Sequence, residues 1–446
     1  MPAPKKRKTA TASPAAPAAF AAAAPDTTHF HPALGVPLAI GEPHFGEPKT
    51  SPDARSFTDR KPDSQYYKFV TKNLLQPVPP PPDPNNVTLT LAQAWGTAGA
   101  ARVAAINKAQ KLVFHCAGDT GPTPGPSSGL QNISSVADKM VADFQEADPT
   151  DVPSFFYHLG DVVYSFGEAQ YYYDEFYEPF REYNAPIVAI AGNHDGVTYS
   201  GDSSKTLEVF LRNFCSPDFT KTPESGSLWQ TSMIQPSVYF TFDASLVKII
   251  GLYSNVLEDP GVISSEGSKS SPVTDDQLTF LQDQLSQLKK NKYAGAILVA
   301  VHHPPFTGPA KHGASPRMLQ DFDNSFQKTG CYPHAVLSGH AHNYQRFTRT
   351  GTGGTQTPYI VAGCGGHNIS PLKATKGAGA IRTPMTVSTE LTMDKYFQEY
   401  GYLRIIVTPA VLRIEFHQAA AGTSAKSAAD TVTVDLKTRK LTTVHP

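Results

Sequence analysis

Seven side chains that can bind metal ions recur in one setting along this sequence: Asp119, Asp161, Tyr164, Asn193, His302, His340 and His342. They follow short apolar runs, and Gly118, Gly160, Gly192 and Gly339 each immediately precede one of them. Carboxylate, amide and imidazole donors on loops suit first-row transition ions of intermediate hardness, such as Fe, Zn and Mn. The set is large enough to hold two ions, with Asp161 shared between them. Two ions about 3.5–4 Å apart can clamp the oxygens of an ester and activate water. The neighbouring glycines permit sharp turns and a close approach of backbone to the site. The chemistry that fits is hydrolysis of phosphate esters.

Taken singly, these signals are weak. A Gly-Asp after an apolar run is ordinarily a turn, and Gly192-Asn193-His194-Asp195 alone would read as a surface turn. His302-His303-Pro304-Pro305 reads equally well as a strand terminus. His340-Ala341-His342 is stronger, because two histidines one residue apart suit a metal. Specificity comes from all five clusters together, in this order, each behind an apolar run.

The runs themselves are strand-like: Leu112-Val113-Phe114, Phe155-Phe156-Tyr157, Ile187 to Ile190, Ile297 to Val301 and Ala335-Val336-Leu337. Helical spacing lies between some of them. Thr274 reads as an N-cap with Gln277 as its capping-box partner, and Leu278, Leu281, Leu285 and Leu288 mark one buried stripe. Buried strands alternating with helices predict an α/β layered core, in which sites form beyond the carboxyl ends of strands. The five clusters should therefore converge at one edge.

Residues 1–50 are rich in Ala and Pro without hydrophobic period and read as a disordered tail. Residues 51–107 read as an N-terminal extension with a polyproline spacer at Pro79–Pro82, and 108–446 as the catalytic domain. Lys5-Lys6-Arg7-Lys8 ahead of the Ala-rich stretch fits both a signal peptide, with a secreted or periplasmic destination, and a plain tail.

A net charge of −1 gives no reason to expect a nucleic-acid-binding surface. No apolar stretch is long enough for a membrane span. Four scattered cysteines, Cys116, Cys215, Cys331 and Cys364, make neither a disulfide framework nor a zinc knuckle. The partner expected is a small phosphate-ester substrate.

The blocks Gly118-Asp119-Thr120-Gly121, Gly160-Asp161-Val162-Val163-Tyr164, Gly192-Asn193-His194-Asp195, Val299-Ala300-Val301-His302 and Gly339-His340-Ala341-His342 resemble the calcineurin-like metallophosphoesterase superfamily, and within it the purple acid phosphatases. Tyr239 to Asp243 followed by Val247 to Leu252 is similar to the family's central hairpin, and the resemblance runs over roughly residues 108–420. It implies a sandwich of two mixed β-sheets flanked by helices.

The resemblance assigns Asp119, Asp161, Tyr164 and His342 to a ferric ion, and Asp161, Asn193, His302 and His340 to a divalent Fe, Zn or Mn. Tyr164 marks the purple subgroup through its coloured phenolate, and Gly121 stands where many relatives carry a histidine ligand. His194 is implied to protonate the leaving alkoxide; Phe166 stands where some relatives carry an Asp that helps. His303, His312 and Arg346 are candidate substrate contacts. The long insert before Tyr239, with Trp229, could shape the substrate groove or serve packing. The expected reaction is acid hydrolysis of monoesters by in-line attack of a metal-bound hydroxide, without a phospho-enzyme. A phosphodiesterase or nucleotide hydrolase on the same site is the alternative, and a catalytically dead binding module fits the intact ligand set poorly.

Overall fold

The computed structural model describes residues 30–31, 36–37, 76–122, 129–164, 167–197, 205–257, 260–265, 273–308, 312–372, 381–419 and 427–443. Two sheets carry the fold. The smaller has seven strands, in the order Leu441–Thr443, Asp430–Asp435, Val411–Gln418, Gly401–Val407, Leu112–Ala117, Phe156–His158 and Ile187–Ala189. The larger has nine, running Met385–Thr386, Leu391–Phe397, Tyr344–Thr350, Gln356–Ala362, Ala335–Ser338, Ala296–Val301, Val247–Leu252, Phe240–Asp243 and Thr88–Thr90. Both are mixed, and helices flank them, as the sequence leads one to expect.

The ligand-bearing strands divide between the sheets. Leu112–Ala117, Phe156–His158 and Ile187–Ala189 are parallel neighbours in the smaller sheet, and Ala296–Val301 and Ala335–Ser338 are parallel neighbours in the larger. Parallel neighbours need long crossovers, and helices provide them. Asp276–Lys290 connects Val247–Leu252 to Ala296–Val301, and Pro316–Thr329 connects that strand to Ala335–Ser338. The second helix is well bounded: the Ser315 hydroxyl accepts the Met318 N–H, Pro316 opens the first turn, and Gly330 closes it at φ 62°.

The first helix departs from expectation at its start. Its N-cap is Asp275, not Thr274, and the Gln277 side chain instead exchanges two 2.8 Å hydrogen bonds with the Tyr253 backbone. That buried exchange holds the helix to the strand Val247–Leu252. Leu281, Leu285 and Leu288 are buried, joined by Phe280, while Leu278 is half-buried.

Aromatic rings fill the space between the sheets. Phe155 meets Phe242 edge-on at 4.9 Å, and Tyr344 stacks on Phe416 at 4.1 Å. Thr88–Thr90 lies before the boundary expected at residue 108, yet pairs in parallel with Phe240–Asp243 and completes the larger sheet. Its backbone hydrogen bonds therefore tie part of the expected extension to the layered core. Within the expected tail, Phe30–His31 pairs with Val36–Pro37. Cys116, Cys215, Cys331 and Cys364 are all free.

Candidate metal centre

The carboxyl ends of the five strands meet along one edge where the two sheets adjoin. Three of the expected ligands take left-handed backbone there: Asp119 at φ 57°, Asp161 at φ 54° and His340 at φ 65°. Non-glycine residues avoid this region unless the surroundings enforce it, and such positions cluster at functional sites. Gly192 shows how tightly the loops are packed, since a Cβ there would run into the Asp161 carboxylate.

The phenol oxygen of Tyr164 lies 3.1 Å from Asp119 Oδ1, 2.8 Å from Asp161 Oδ2 and 3.3 Å from His342 Nε2. His342 Nε2 is itself 3.4 Å from Asp119 Oδ1. The same Asp161 Oδ2 is 3.2 Å from His302 Nε2, and Asn193 Oδ1 is 3.0 Å from His340 Nδ1. Donor atoms of Asp161, His302 and His340 lie within 4.8 Å of one another. Asp161 thus stands between two groups of donors.

A cation suits this arrangement. A phenol has one proton, which cannot serve three acceptors at once, and His302 Nε2 is buried facing the Asp161 and Asp119 carboxylates. The charges point the same way. Burial raises the Tyr164 pKa well above its ordinary value, and the Asp119 and Asp161 carboxylates add to this. Burial disfavours charge on His302, but Asp161 and Asp119 outweigh it and raise its pKa to about 9. Burial also opposes ionisation of Asp161, yet His302 and His194 hold its carboxyl well below the usual range. Burial and then the charge on His302 lower His340 to about 3. The carboxylates thus draw positive charge to this point.

Backbone contacts fix the donors. His302 Nδ1 donates to Leu159 O at 2.8 Å, and His342 Nδ1 to Asn368 O at 3.1 Å, which leaves each Nε2 facing inward. Asp119 Oδ2 accepts the His340 N–H at 2.8 Å, and Asp161 Oδ1 accepts the His194 N–H at 2.9 Å. The half-buried His194 ring lies 4.3 Å from the Tyr164 ring.

The substrate-contact candidates fare differently. The His312 ring lies 4.5 Å from His340 and 4.8 Å from His342, at the site. The His303 ring packs 4.2 Å from that of His340, but its Nδ1 meets Ser254 Oγ at 2.7 Å and its Nε2 meets Leu257 O at 2.6 Å, so neither nitrogen is left for a phosphate oxygen. Arg346 does not face the site either. Its Nε and Nη2 donate to Asp430 at 2.6 and 3.1 Å, and its Nη1 lies 3.1 Å from Asp394, all in the interior. Trp229 stays 58% exposed, donates to Arg181 O, and lines a cavity with Trp95, Phe214 and Ile187, near the amino end of a ligand-bearing strand. The metal-ligand candidates lie beyond the opposite, carboxyl end of that strand. Phe166 falls outside the described residues.

Three residues at the site carry little signal in the sequence. The Asp195 carboxylate accepts the Gly192 N–H at 2.8 Å and the Val162 N–H at 3.0 Å, binding two ligand loops together. Its place in Gly192-Asn193-His194-Asp195 was the available hint. Buried Glu175 accepts the Tyr164 N–H at 2.8 Å, and His367 stacks on the Tyr164 ring.

Residues 112–344, just over half of the chain, match the sequence pattern described as calcineurin-like phosphoesterase. No curated protein matches the chain. Among solved structures, the chain is similar to a purple acid phosphatase from yellow lupin (Lupinus luteus) seeds, at 14% identity and a TM-score of 0.49, with 73% of this chain and 54% of the lupin chain covered. The chain thus spans about half of the lupin protein. It is also similar to GAP50, the anchor in the inner membrane complex of Plasmodium, at 12% identity and a TM-score of 0.47, covering 73% of this chain and 89% of that one. A dimetal phosphatase from Danio rerio matches at 11% identity and a TM-score of 0.41, over 69% of this chain and 96% of its own. Among the described residues, no helix is long and apolar enough to cross a membrane.

Proposed function

Because the chain belongs to the calcineurin-like phosphoesterase family, we propose that it hydrolyses phosphate monoesters at a binuclear centre of the purple-acid-phosphatase type. One observation carries this reading: the Tyr164 phenol oxygen lies within 3.3 Å of donor atoms from Asp119, Asp161 and His342. A phenol among anionic oxygens is the environment of a hard, highly charged ion, and Fe(III) takes such ligands. In this reading Asp119, Asp161, Tyr164 and His342 hold the ferric ion. Asp161, Asn193, His302 and His340 hold a divalent Fe, Zn or Mn.

The ions, when bound, activate water and neutralise charge on the ester oxygens. The chain's own groups do the rest. Asp161, shared by both donor groups, would set the spacing of the two ion sites. His194 donates a proton from its imidazole N–H to the departing alkoxide, as a general acid. Its backbone is tied to Asp161, so the acid keeps its place relative to the ions. His312, beside His340 and His342, donates to a non-bridging phosphate oxygen. No side chain is required to form a bond to phosphorus, so a chiral phosphate should undergo a single inversion.

The test compares a nitrophenyl phosphate monoester with the bis(nitrophenyl) diester from acid to alkaline pH, with iron and a divalent metal supplied. Faster monoester turnover at acid pH is the expected result. Faster diester turnover at neutral or alkaline pH would keep the centre and make the protein a phosphodiesterase or nucleotide hydrolase.

A further inference from the structure

Two imidazoles pack on the phenol ring of Tyr164. His194 is tilted, at 4.3 Å and 41°, whereas His367 lies nearly flat on the ring, with centroids 3.8 Å apart and planes 16° apart. His367 follows the strand Gln356–Ala362 and the run Gly363-Cys364-Gly365-Gly366. It is anchored twice to the loop that carries Asp119. Its Nδ1 donates to Gly121 O at 2.9 Å, and its backbone N–H donates to Asp119 O at 2.9 Å. The ring that sets the tilt of Tyr164 is therefore fixed to the same loop as one of the groups the phenol oxygen must meet.

We propose that His367 is a positioning residue for Tyr164: its ring fixes the plane of the phenol, and so the direction in which the lone pairs of the phenol oxygen point relative to Asp119, Asp161 and His342. The proposal rests on the reading of Tyr164 as an iron ligand. An aliphatic side chain at 367 would leave that face of the phenol uncovered, and the ring could then turn about its Cβ–Cγ bond, which keeps the phenol oxygen in place but turns its lone pairs away from their set direction. Supports of this kind typically matter about 10- to 100-fold in metal affinity or activity.

The experiment uses the full chain, reconstituted with iron, as wild type, His367→Ala, His367→Gln and His367→Phe. Metal content, the visible phenolate-to-iron band, kcat and KM are read for each. His367→Ala should shift and broaden the band at full iron content and lower kcat on the order of tenfold, with KM nearly unchanged. His367→Gln, which keeps a donor toward Gly121 but has no ring, should follow it. His367→Phe, which keeps a flat ring, should restore most of both readouts. A purely structural role would lower the melting temperature without moving the band. A wild-type band and kcat in iron-loaded His367→Ala or His367→Gln would overturn the proposal. Failure of the underlying reading would look different: the wild-type protein would carry its full iron with no visible band, and Tyr164→Phe would change nothing.

Discussion

The Tyr164 ring occupies the space that a side chain at position 121 would need. A Cβ on Gly121 would stand 2.7 Å from Tyr164 Cδ2 and 2.9 Å from Glu175 Oε2. A side chain at position 121 and the phenol from the next block cannot coexist without a shift of the loop. The Gly121→Ala variant should therefore lose about 1–3 kcal/mol of stability through overpacking, and its iron-loaded form should show a weakened visible band. Denaturant melts and absorption spectra check this. Wild-type stability with an unchanged band would show that the loop yields freely.

Asp161 divides the donors into two groups, and removing one donor from each should have separable effects. His342→Ala is expected to bleach the iron-loaded protein, since the proposed assignment gives His342 and Tyr164 the same ion. His302→Ala should keep the colour and lose the divalent ion. Both should reduce hydrolysis on the order of a hundredfold or more. Elemental analysis beside the absorption spectrum makes the assignment. Loss of colour in His302→Ala alone would reverse it.

Those two groups were legible in the sequence because each ligand follows a buried strand and a sharp turn, both of which are local signals. The residues that failed were those whose partners are distant. Arg346 lies four residues after His342, but it sits inside the strand Tyr344–Thr350 and reaches Asp430, 84 residues away, in the other sheet. His303 adjoins a ligand, yet its ring points to Ser254 and Leu257. His367 lies about as far in sequence from its partners as Arg346 does, or farther: its contacts are with Gly121 and Tyr164. Pairings of this kind follow from which strands neighbour each other and how the sheets face, which periodicity within one strand does not encode.

The Arg346–Asp430 pair should behave as a structural tie. Arg346 is 1% exposed and joins the larger sheet to the smaller, and Tyr344 also donates to Asp430, at 2.8 Å. Arg346→Met would leave the Asp430 carboxylate buried and uncompensated, at a cost of about 3–5 kcal/mol. Adding Asp430→Leu should recover much of that loss. KM for the monoester should hardly move in protein that remains folded. A raised KM at full stability would instead return Arg346 to the substrate site.

His334 sets an acid limit on the fold. At the entrance to the strand Ala335–Ser338, its Nδ1 accepts the Ile297 N–H at 3.0 Å and its Nε2 donates to Leu436 O at 3.2 Å. The first bond needs a lone pair, so the ring is neutral when folded. Burial, and then the charge of Arg439, lower its pKa to about 4, against about 6.5 in an unfolded chain. Between these values the unfolded chain binds a proton that the folded chain refuses. Stability from this group is therefore complete above about pH 6.5 and is lost as pH falls toward 4, by about 3 kcal/mol in all. His334→Asn, whose side-chain oxygen can accept the Ile297 N–H without titrating, should flatten that part of the stability profile. Denaturant melts at half-unit pH steps measure it, and equal slopes in the two proteins would clear His334 of the effect. The window overlaps the acid range in which monoester hydrolysis is expected. A fall in turnover there that His334→Asn relieves would come from unfolding, and one that it leaves in place would belong to the metal centre.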